Sequence, residues 1–420
     1  MSRRVCMIVQ NQLWNDARVK KEALSLRDSG WAVTIVARPE EGHARSEEWE
    51  GVRVLRPRYR SALTDGLRQG FDAGGRTSSA ARRLLGAVRR NPVRRFLSDL
   101  IRNFLFEAKF LGAALSARAD VYHANDLDTL LVGWLASRIR RARLVYDSHE
   151  LWLGSVRYLR ETGALGRLRD RLIERFLACS ADAVIHVTPG RGVEMGRMYP
   201  RLRRLFIVEN CPEASNPVRT DALRRAAGIR DDRLLFLYQG VLANERGLEQ
   251  LLLAARLLGG EHLAILLLGH DCTEGRLPAL ASAPDLRDLV FLLPPVRSEE
   301  LPALTAGADV GMVLFRDTCL NHRYSLPNKL YEYMMAGIPI LASDLPEIAR
   351  VIRSSRCGVL VDPESPGSVA GAMKAMAGDR SALAEMGARG RTAALERHCW
   401  SVQRGILERV YSDLVPGQGR

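Results

Sequence analysis

The chain has no apolar run near the roughly 20 residues a membrane-spanning helix needs, and none of its seven cysteines forms a Cys-x-x-Cys pair. The first absence excludes a helical membrane span. The cysteines, at 6, 179, 211, 272, 319, 357 and 399, form no framework. Their odd count argues for reduced thiols in a cytoplasmic setting. The basic start carries an apolar stretch of only Val5 to Val9, too short for a signal sequence and better read as a first buried strand. His149-Glu150 lacks the second histidine of a zinc-protease helix, because residue 153 is leucine. No metal site is therefore expected, and no sequence repeat links the two halves.

What is present describes a globular protein of α/β class. At 420 residues the chain is long for one core, so two domains are expected. Short apolar strands alternate with helical patterns almost from end to end. In the first half the strands are expected at Val5–Val9, Ala32–Ala37, Val52–Leu55, Val121–His123, Leu144–Asp147, Ala183–Val187 and Leu205–Glu209. In the second half they are expected at Leu234–Tyr238, Leu263–Leu268, Leu289–Leu292, Val310–Leu314, Ile338–Ala342 and Gly358–Val361. Two such sets predict two Rossmann-like, doubly wound domains. The first helix shows the local rules agreeing: Asp16 caps it, Val19, Ala23 and Leu26 form its buried stripe, and Gly30 stops it. The domains are expected over 1–212 and 213–395, with a helical tail over 396–420 crossing back to the first.

Charge is uneven. The net charge is +14, and residues 58–118 hold thirteen Arg or Lys against four Asp or Glu. Residues 57–118 thus read as a basic insertion. Arginine pairs at 82–83, 89–90 and 94–95 frame apolar residues that include Leu84, Phe96, Ile101 and Phe110. That pattern fits helices lying on an anionic membrane surface, and it equally fits core-packed helices with a solvated arginine face. With no aromatic stacking pattern, nucleic acid is not an expected partner.

The most informative stretch is Tyr324 to Glu347, YSLPNKLYEYMMAGIPILASDLPE. Pro327 suits a first helical position, where its missing N–H is not needed. Asn328 and Glu332, four apart, share one face near the helix start. Free N–H groups and the helix dipole there attract a phosphate. Gly337 and Pro339 end the helix, and a buried strand follows at once. The string LPNKLYEYMMAG resembles the donor-binding segment of GT-B retaining glycosyltransferases of family four, the glycosyl transferases group 1.

The resemblance implies two domains facing across a cleft and a metal-independent transfer of a hexose-type sugar from a nucleotide-diphosphate donor. Ser325, Leu326, Asn328, Lys329 and Glu332 would bind that donor, with Glu332 on the ribose. The loop Tyr238 to Gly247, YQGVLANERG, resembles the family's diphosphate loop. Gly240 permits close backbone approach there and Arg246 supplies a permanent cation. YDSHE, Tyr146 to Glu150, resembles the place where the family keeps a histidine beside the transferred sugar, so His149 would orient sugar and acceptor. Asp126, just past a strand, either meets an acceptor hydroxyl or caps the helix that begins at Leu127.

Three departures from the family pattern stand out. Val241 replaces the basic residue that often follows the loop glycine. Tyr324 stands where the family often has the first of two glutamates, which leaves sugar recognition to the backbone N–H groups of 324–326 or to Asn321. The N-terminal loop QNQLWND lacks the usual glycine pair. The expected function is assembly of surface polysaccharide or glycan, with no cofactor beyond the nucleotide-sugar substrate. The hydroxyl acceptor would be soluble or lipid-linked, and the enzyme cytoplasmic or peripheral on the inner face of the plasma membrane. Glycosylation of a secondary metabolite, a nucleotide-sugar epimerase on the same fold, and a non-catalytic sugar- or membrane-binding protein are the alternatives.

Overall fold

The computed structural model describes residues 3–57 and 106–416, apart from 12, 41, 156–157, 159–161 and 260–261. Strands β1 (Arg4–Ile8), β2 (Ala32–Val36), β3 (Ser46–Trp49), β4 (Val52–Leu55), β5 (Val121–Asn125), β6 (Arg143–Ser148), β7 (Ala183–His186) and β8 (Leu205–Ile207) build one sheet in the order β3-β4-β2-β1-β5-β6-β7-β8. A second sheet holds β9 (Leu234–Gln239), β10 (Leu263–Leu268), β11 (Val290–Leu293), β12 (Val310–Val313), β13 (Ile340–Ser343) and β14 (Gly358–Val361), in the order β11-β10-β9-β12-β13-β14. Every pairing is parallel except β3 with β4. The protein is thus a two-domain α/β structure of doubly wound sheets.

Parallel sheets are covered on both faces, so their strands are apolar throughout. β9 and β10, LLFLYQ and LAILLL, are buried at every position. Each fully buried leucine contributes about 1.5–3 kcal/mol over an exposed one. β3 has no counterpart among the expected strands. Its sequence, SEEW, alternates between exposed and half-buried positions on an antiparallel edge, so it carries no apolar run to read.

Both sheets reverse their winding at a central strand, β1 in the first and β9 in the second. Open α/β sheets bind ligands at such switch points, beyond the carboxyl ends of the strands. The helix Ala17–Asp28 leaves β1 with Asp16 as its cap, the carboxylate accepting from the Val19 amide at 3.0 Å. Gly30 follows it in the left-handed region, at φ 84°.

The helix Trp400–Leu414 packs on the first sheet, where Trp400, Leu407, Val410 and Tyr411 share a core with Val5, Val19 and Trp31. Trp400 Nε1 donates to Ser25 Oγ at 2.9 Å. The arginine pairs 82–83, 89–90 and 94–95 lie outside the described residues. The described end of the basic segment is a helix over 106–116, and Phe110 is fully buried in the first domain's core, as the core-packed of the two readings expects at that position.

The domains touch closely. The Gly190 amide donates to Glu347 Oε1 at 2.6 Å, and Tyr324 Oη donates to Glu194 Oε1 at 3.1 Å. A Cβ on Gly190 would fall 2.3 Å from the Tyr324 ring, so only glycine allows this approach.

Candidate functional site in the interdomain cleft

A cleft of about 470 Å³ lies between the carboxyl ends of the two sheets. His149 and Arg18 line it from the first domain, and Arg246, Ser325, Leu326 and Asn328 from the second. Asp126, Gly240, Lys329 and Glu332 are not among the lining residues; they stand one step behind it.

On the first side, β6 ends at Ser148 and delivers His149 between two carboxylates. Its Nδ1 lies 3.3 Å from Asp126 Oδ2 and its Nε2 3.3 Å from Asp147 Oδ2. Burial works against a charged ring, but the two carboxylates outweigh it and hold the His149 pKa well above the usual histidine range. The charged form of the ring is therefore favoured, and it presents positive charge to the cleft.

Asp126 precedes the helix Leu127–Arg140, yet its side chain makes no capping bond. Its backbone, at φ 62° and ψ 171°, occupies a region that is essentially glycine's. Such a conformation costs about 1–3 kcal/mol. It is held by the Asp126 amide donating to Asp147 O at 2.8 Å and by the His149 amide donating to Asp126 Oδ1 at 2.9 Å. The helix cap open to Asp126 is not made, and its carboxylate is turned to His149, a role other than the two expected.

Beneath His149 sits a buried charge network. Arg18 clasps Asp147 with Nε at 3.1 Å and Nη2 at 3.0 Å, and its Nη1 donates to Val208 O at 2.8 Å. Glu22 is equally buried, 3.0 Å from Arg18. Burial raises both acids, but Arg18 and His149 reverse it for Asp147, which is held well below its usual range. Glu22 is pushed well up by burial. His123, lowered by burial, bonds Tyr411 Oη through Nδ1 at 2.6 Å. Among the described residues, two groups of three side chains bring potential metal-ligand atoms within 4.8 Å of one another, Glu22–His123–Asp147 and Glu209–Cys211–His398. Neither fits a cation: Arg18 is clamped to Asp147, while Arg350 and Tyr331 already bond Glu209.

On the second side, Gly240 follows β9 at φ 113°. Arg246 ends the short turn Asn244–Arg246, just before the helix Leu248–Arg256, with its guanidinium 4.1 Å from the centre of the Phe315 ring. Lys329 reaches behind Gly240, its Nζ 3.5 Å above the Tyr238 ring. Desolvation, and then repulsion from Arg246, push the Lys329 ammonium well below its usual range. An arriving anion would restore its charge.

Glu332 accepts from Gln239 Nε2 at 2.5 Å, and Gln239 Oε1 accepts from Thr305 at 2.8 Å. Burial raises the Glu332 carboxyl. The donor-side helix runs Asn328–Ala336, so Pro327 is its cap residue, one position earlier than expected. A residue ahead of the helix needs no N–H bond within it either, so the same property of proline serves.

Of the groups considered for sugar recognition in place of a first glutamate, the Tyr324 and Ser325 amides and the Asn321 side chain are engaged elsewhere, while Leu326 lines the cleft. The amides of Tyr324 and Ser325 donate to Leu320 O and His322 O, at 3.0 and 3.1 Å. Asn321 binds the backbone of Leu151 across the domain boundary, accepting at 2.8 Å and donating at 3.1 Å. Arg18, Asp147 and Arg191 escape a reading of local patterns. Arg18 and Glu22 look like a surface i,i+4 pair; their signal is that the same helical face carries Leu26. Arg191 donates to His149 O at 2.7 Å and to Asn321 O at 2.9 Å, joining the two sides of the cleft.

Similarity to known proteins agrees with this arrangement. Residues 17–211 match the glycosyl transferase 4-like domain, and residues 219–393 match glycosyl transferases group 1. The D-inositol 3-phosphate glycosyltransferase of Geodermatophilus obscurus is 27% identical over 279 residues, which cover 63% of this chain and 60% of that relative. Among solved structures, sucrose-phosphate synthase from Thermosynechococcus elongatus superposes with a TM-score of 0.74 at 18% identity, covering 98% of this chain and 99% of that one. HepE of Anabaena, crystallised with UDP and glucose, gives 0.70 at 15% identity, covering 98% and 100%. With both halves matched in order and the two-sheet fold shared along its length, the chain belongs to the glycosyl transferases group 1, of GT-B fold.

Proposed function

We propose that this protein transfers a sugar from a nucleotide-diphosphate donor to a hydroxyl acceptor with retention of configuration. The observation that carries the reading is the opposition of two cationic sets across one cleft. Arg246 and the start of the helix Asn328–Ala336 stand on one side, with Lys329 behind them where an arriving anion would favour its charged form, and the ring of His149, held toward its charged form, on the other. Cleaving the sugar–phosphate bond develops negative charge on the departing diphosphate. Fixed cations and helix N–H groups stabilise that charge as it forms. The recharging of Lys329 adds a cation where the product is most negative.

His149, held toward its charged form, is no base for the acceptor's proton. With its two ring nitrogens on Asp126 and Asp147, it presents positive charge to the sugar and orients the acceptor, and the two carboxylates hold it in place. The acceptor oxygen then attacks the face from which the diphosphate leaves, and its proton passes to the leaving phosphate oxygen. Glu332, held by Gln239, takes the ribose. UDP in the HepE crystals supports a nucleoside diphosphate in such a cleft, and the relative named for an inositol phosphate supports a hydroxyl acceptor.

Surface polysaccharide or glycan assembly at the inner face of a membrane is the setting we favour, with an acceptor that is soluble or lipid-linked. No helix among the described residues is long and apolar enough to cross a membrane. All seven cysteines are free, which supports a reducing compartment.

The test is a thermal-shift screen of nucleoside-diphosphate sugars followed by product analysis. One donor should raise the melting temperature by mass action, and its sugar should appear on the acceptor with the anomeric configuration it had in the donor. No donor binding, an inverted product, or an isomerised donor formed without acceptor would each overturn the proposal.

A further inference from the structure

Beside the cleft lies a second cavity of about 400 Å³, walled chiefly by Leu151, Leu153, Gly154, Leu168, Met198 and Leu320. Its size is that of a small-molecule site. The polar residues on its walls are Tyr158, Arg167 and Arg171, and Tyr158 Oη is turned to Asp170 at 3.0 Å. The cavity adjoins the cleft through two turns of chain. Leu151 and Gly154 are the chain neighbours of Glu150 and Ser155, which line the cleft, and Leu320 stands between Cys319 and Asn321, which line it too.

The outer wall is the helix Ala164–Ser180, which buries only Glu174, Leu177 and Ala178. Leu165, Leu168, Leu172 and Phe176 are 85, 56, 55 and 59% exposed. Their spacing of three, four and four residues sets them along one side of the helix. A contiguous apolar face of this kind marks an interaction site, and here Leu168 belongs both to it and to the wall of the groove beside the cleft.

We propose that this groove seats the hydrocarbon chain of an amphiphilic acceptor, an acyl or prenyl chain. The guanidinium groups of Arg167 and Arg171 take an anionic group of the same molecule, and its hydroxyl reaches His149 past the turn Glu150–Ser155. The inference rests on the transfer reading above and names the acceptor class. An apolar floor continuous with the cleft suits a chain tethered to the reacting hydroxyl, and the rim charge suits a phosphate beside it.

The experiment titrates the intact chain with butyl, octyl and dodecyl phosphate below their micelle-forming concentrations. Inorganic phosphate and anionic vesicles serve as comparison probes, and UDP affinity is measured in parallel. Affinity should rise with chain length, by at most about fourfold for each methylene fully buried. Leu153→Glu and Leu168→Glu should each weaken dodecyl phosphate at least tenfold while leaving UDP affinity unchanged. Leu168 is exposed, so its variant keeps the fold, which a thermal melt verifies.

Three outcomes overturn the groove: no rise with chain length, a rise untouched by either substitution, or binding to vesicles with none to monomeric alkyl phosphates. The last would make the helix a bilayer-facing surface. Loss of UDP binding alone, with the chain-length effect intact and sensitive to both substitutions, leaves the groove standing and removes the transfer reading.

Discussion

Both oxygens of the Asp126 carboxylate are directed at His149: Oδ1 accepts from its amide at 2.9 Å, and Oδ2 lies 3.3 Å from its Nδ1. The pair fixes the ring's position and its charge together. Asp126→Asn keeps the shape and removes the charge, so the His149 pKa should fall toward the ordinary histidine range. In the wild type, kcat should hold through neutral pH. In the variant it should decline as pH rises through about 6.5, and His149→Ala should lower kcat more than donor affinity. A loss of about 10²–10³ in kcat is the scale for removing one charge-stabilising donor. pH–rate profiles of both variants check this; coincident profiles for Asp126→Asn and wild type would place the carboxylate outside the reaction.

Arg246→Ala and Lys329→Ala should each weaken the transition state by about 3 kcal/mol, read from kcat/KM. Lys329 adds a second signature. Its ammonium pKa is depressed in the empty cleft, and a bound diphosphate should raise it, so UDP binding should take up protons and weaken as pH increases. Calorimetry in two buffers of different ionisation enthalpy measures that uptake. Lys329→Met should abolish it, and equal binding heats in the two buffers with wild type would remove Lys329 from the diphosphate.

The buried acids below His149 should respond oppositely to amidation. Asp147→Asn leaves Arg18 buried without its counter-charge, a change of about 3–5 kcal/mol. Burial holds the Glu22 carboxyl toward its neutral form, so Glu22→Gln should stay within about 1 kcal/mol at pH 7. The sign follows from linkage. A carboxyl whose folded pKa is raised makes the protein less stable as pH climbs from its unfolded value, about 4.3, to its folded one. Urea unfolding at pH 5 and pH 8 should therefore show wild type losing more stability than Glu22→Gln over that interval.

Tyr324 joins the domains where relatives often carry a glutamate. Tyr324→Phe removes only the bond to Glu194 and should leave the closed arrangement intact. Tyr324→Glu sets a carboxylate near Glu194 and Glu347 and should separate the domains by like-charge repulsion. Small-angle scattering should show a larger radius of gyration for the glutamate variant alone. Identical curves for both variants would mean that other contacts, such as Asn321 with Leu151, suffice to hold the domains.

Much of the fold was legible in the chain itself, because buried parallel strands write themselves as apolar runs. Among the described residues, thirteen of the fourteen strands can be read that way, and the polar edge strand β3 cannot. The donor-side helix was legible for a similar reason. Its proline, its four-residue spacing and its terminal glycine are local rules acting within a dozen residues.

The tertiary structure alone decided how the site is wired. Arg18 meets Asp147 from 129 residues away, Asn321 meets Leu151 from 170, and Tyr324 meets Glu194 from 130. Periodicity along a segment states which face is buried, and it is silent about which charge from a distant segment will share that burial. Desolvation then raises Glu22, while charge partners overcome it to lower Asp147 and raise His149, and these shifts exist only once the distant segments that carry the partners have packed together.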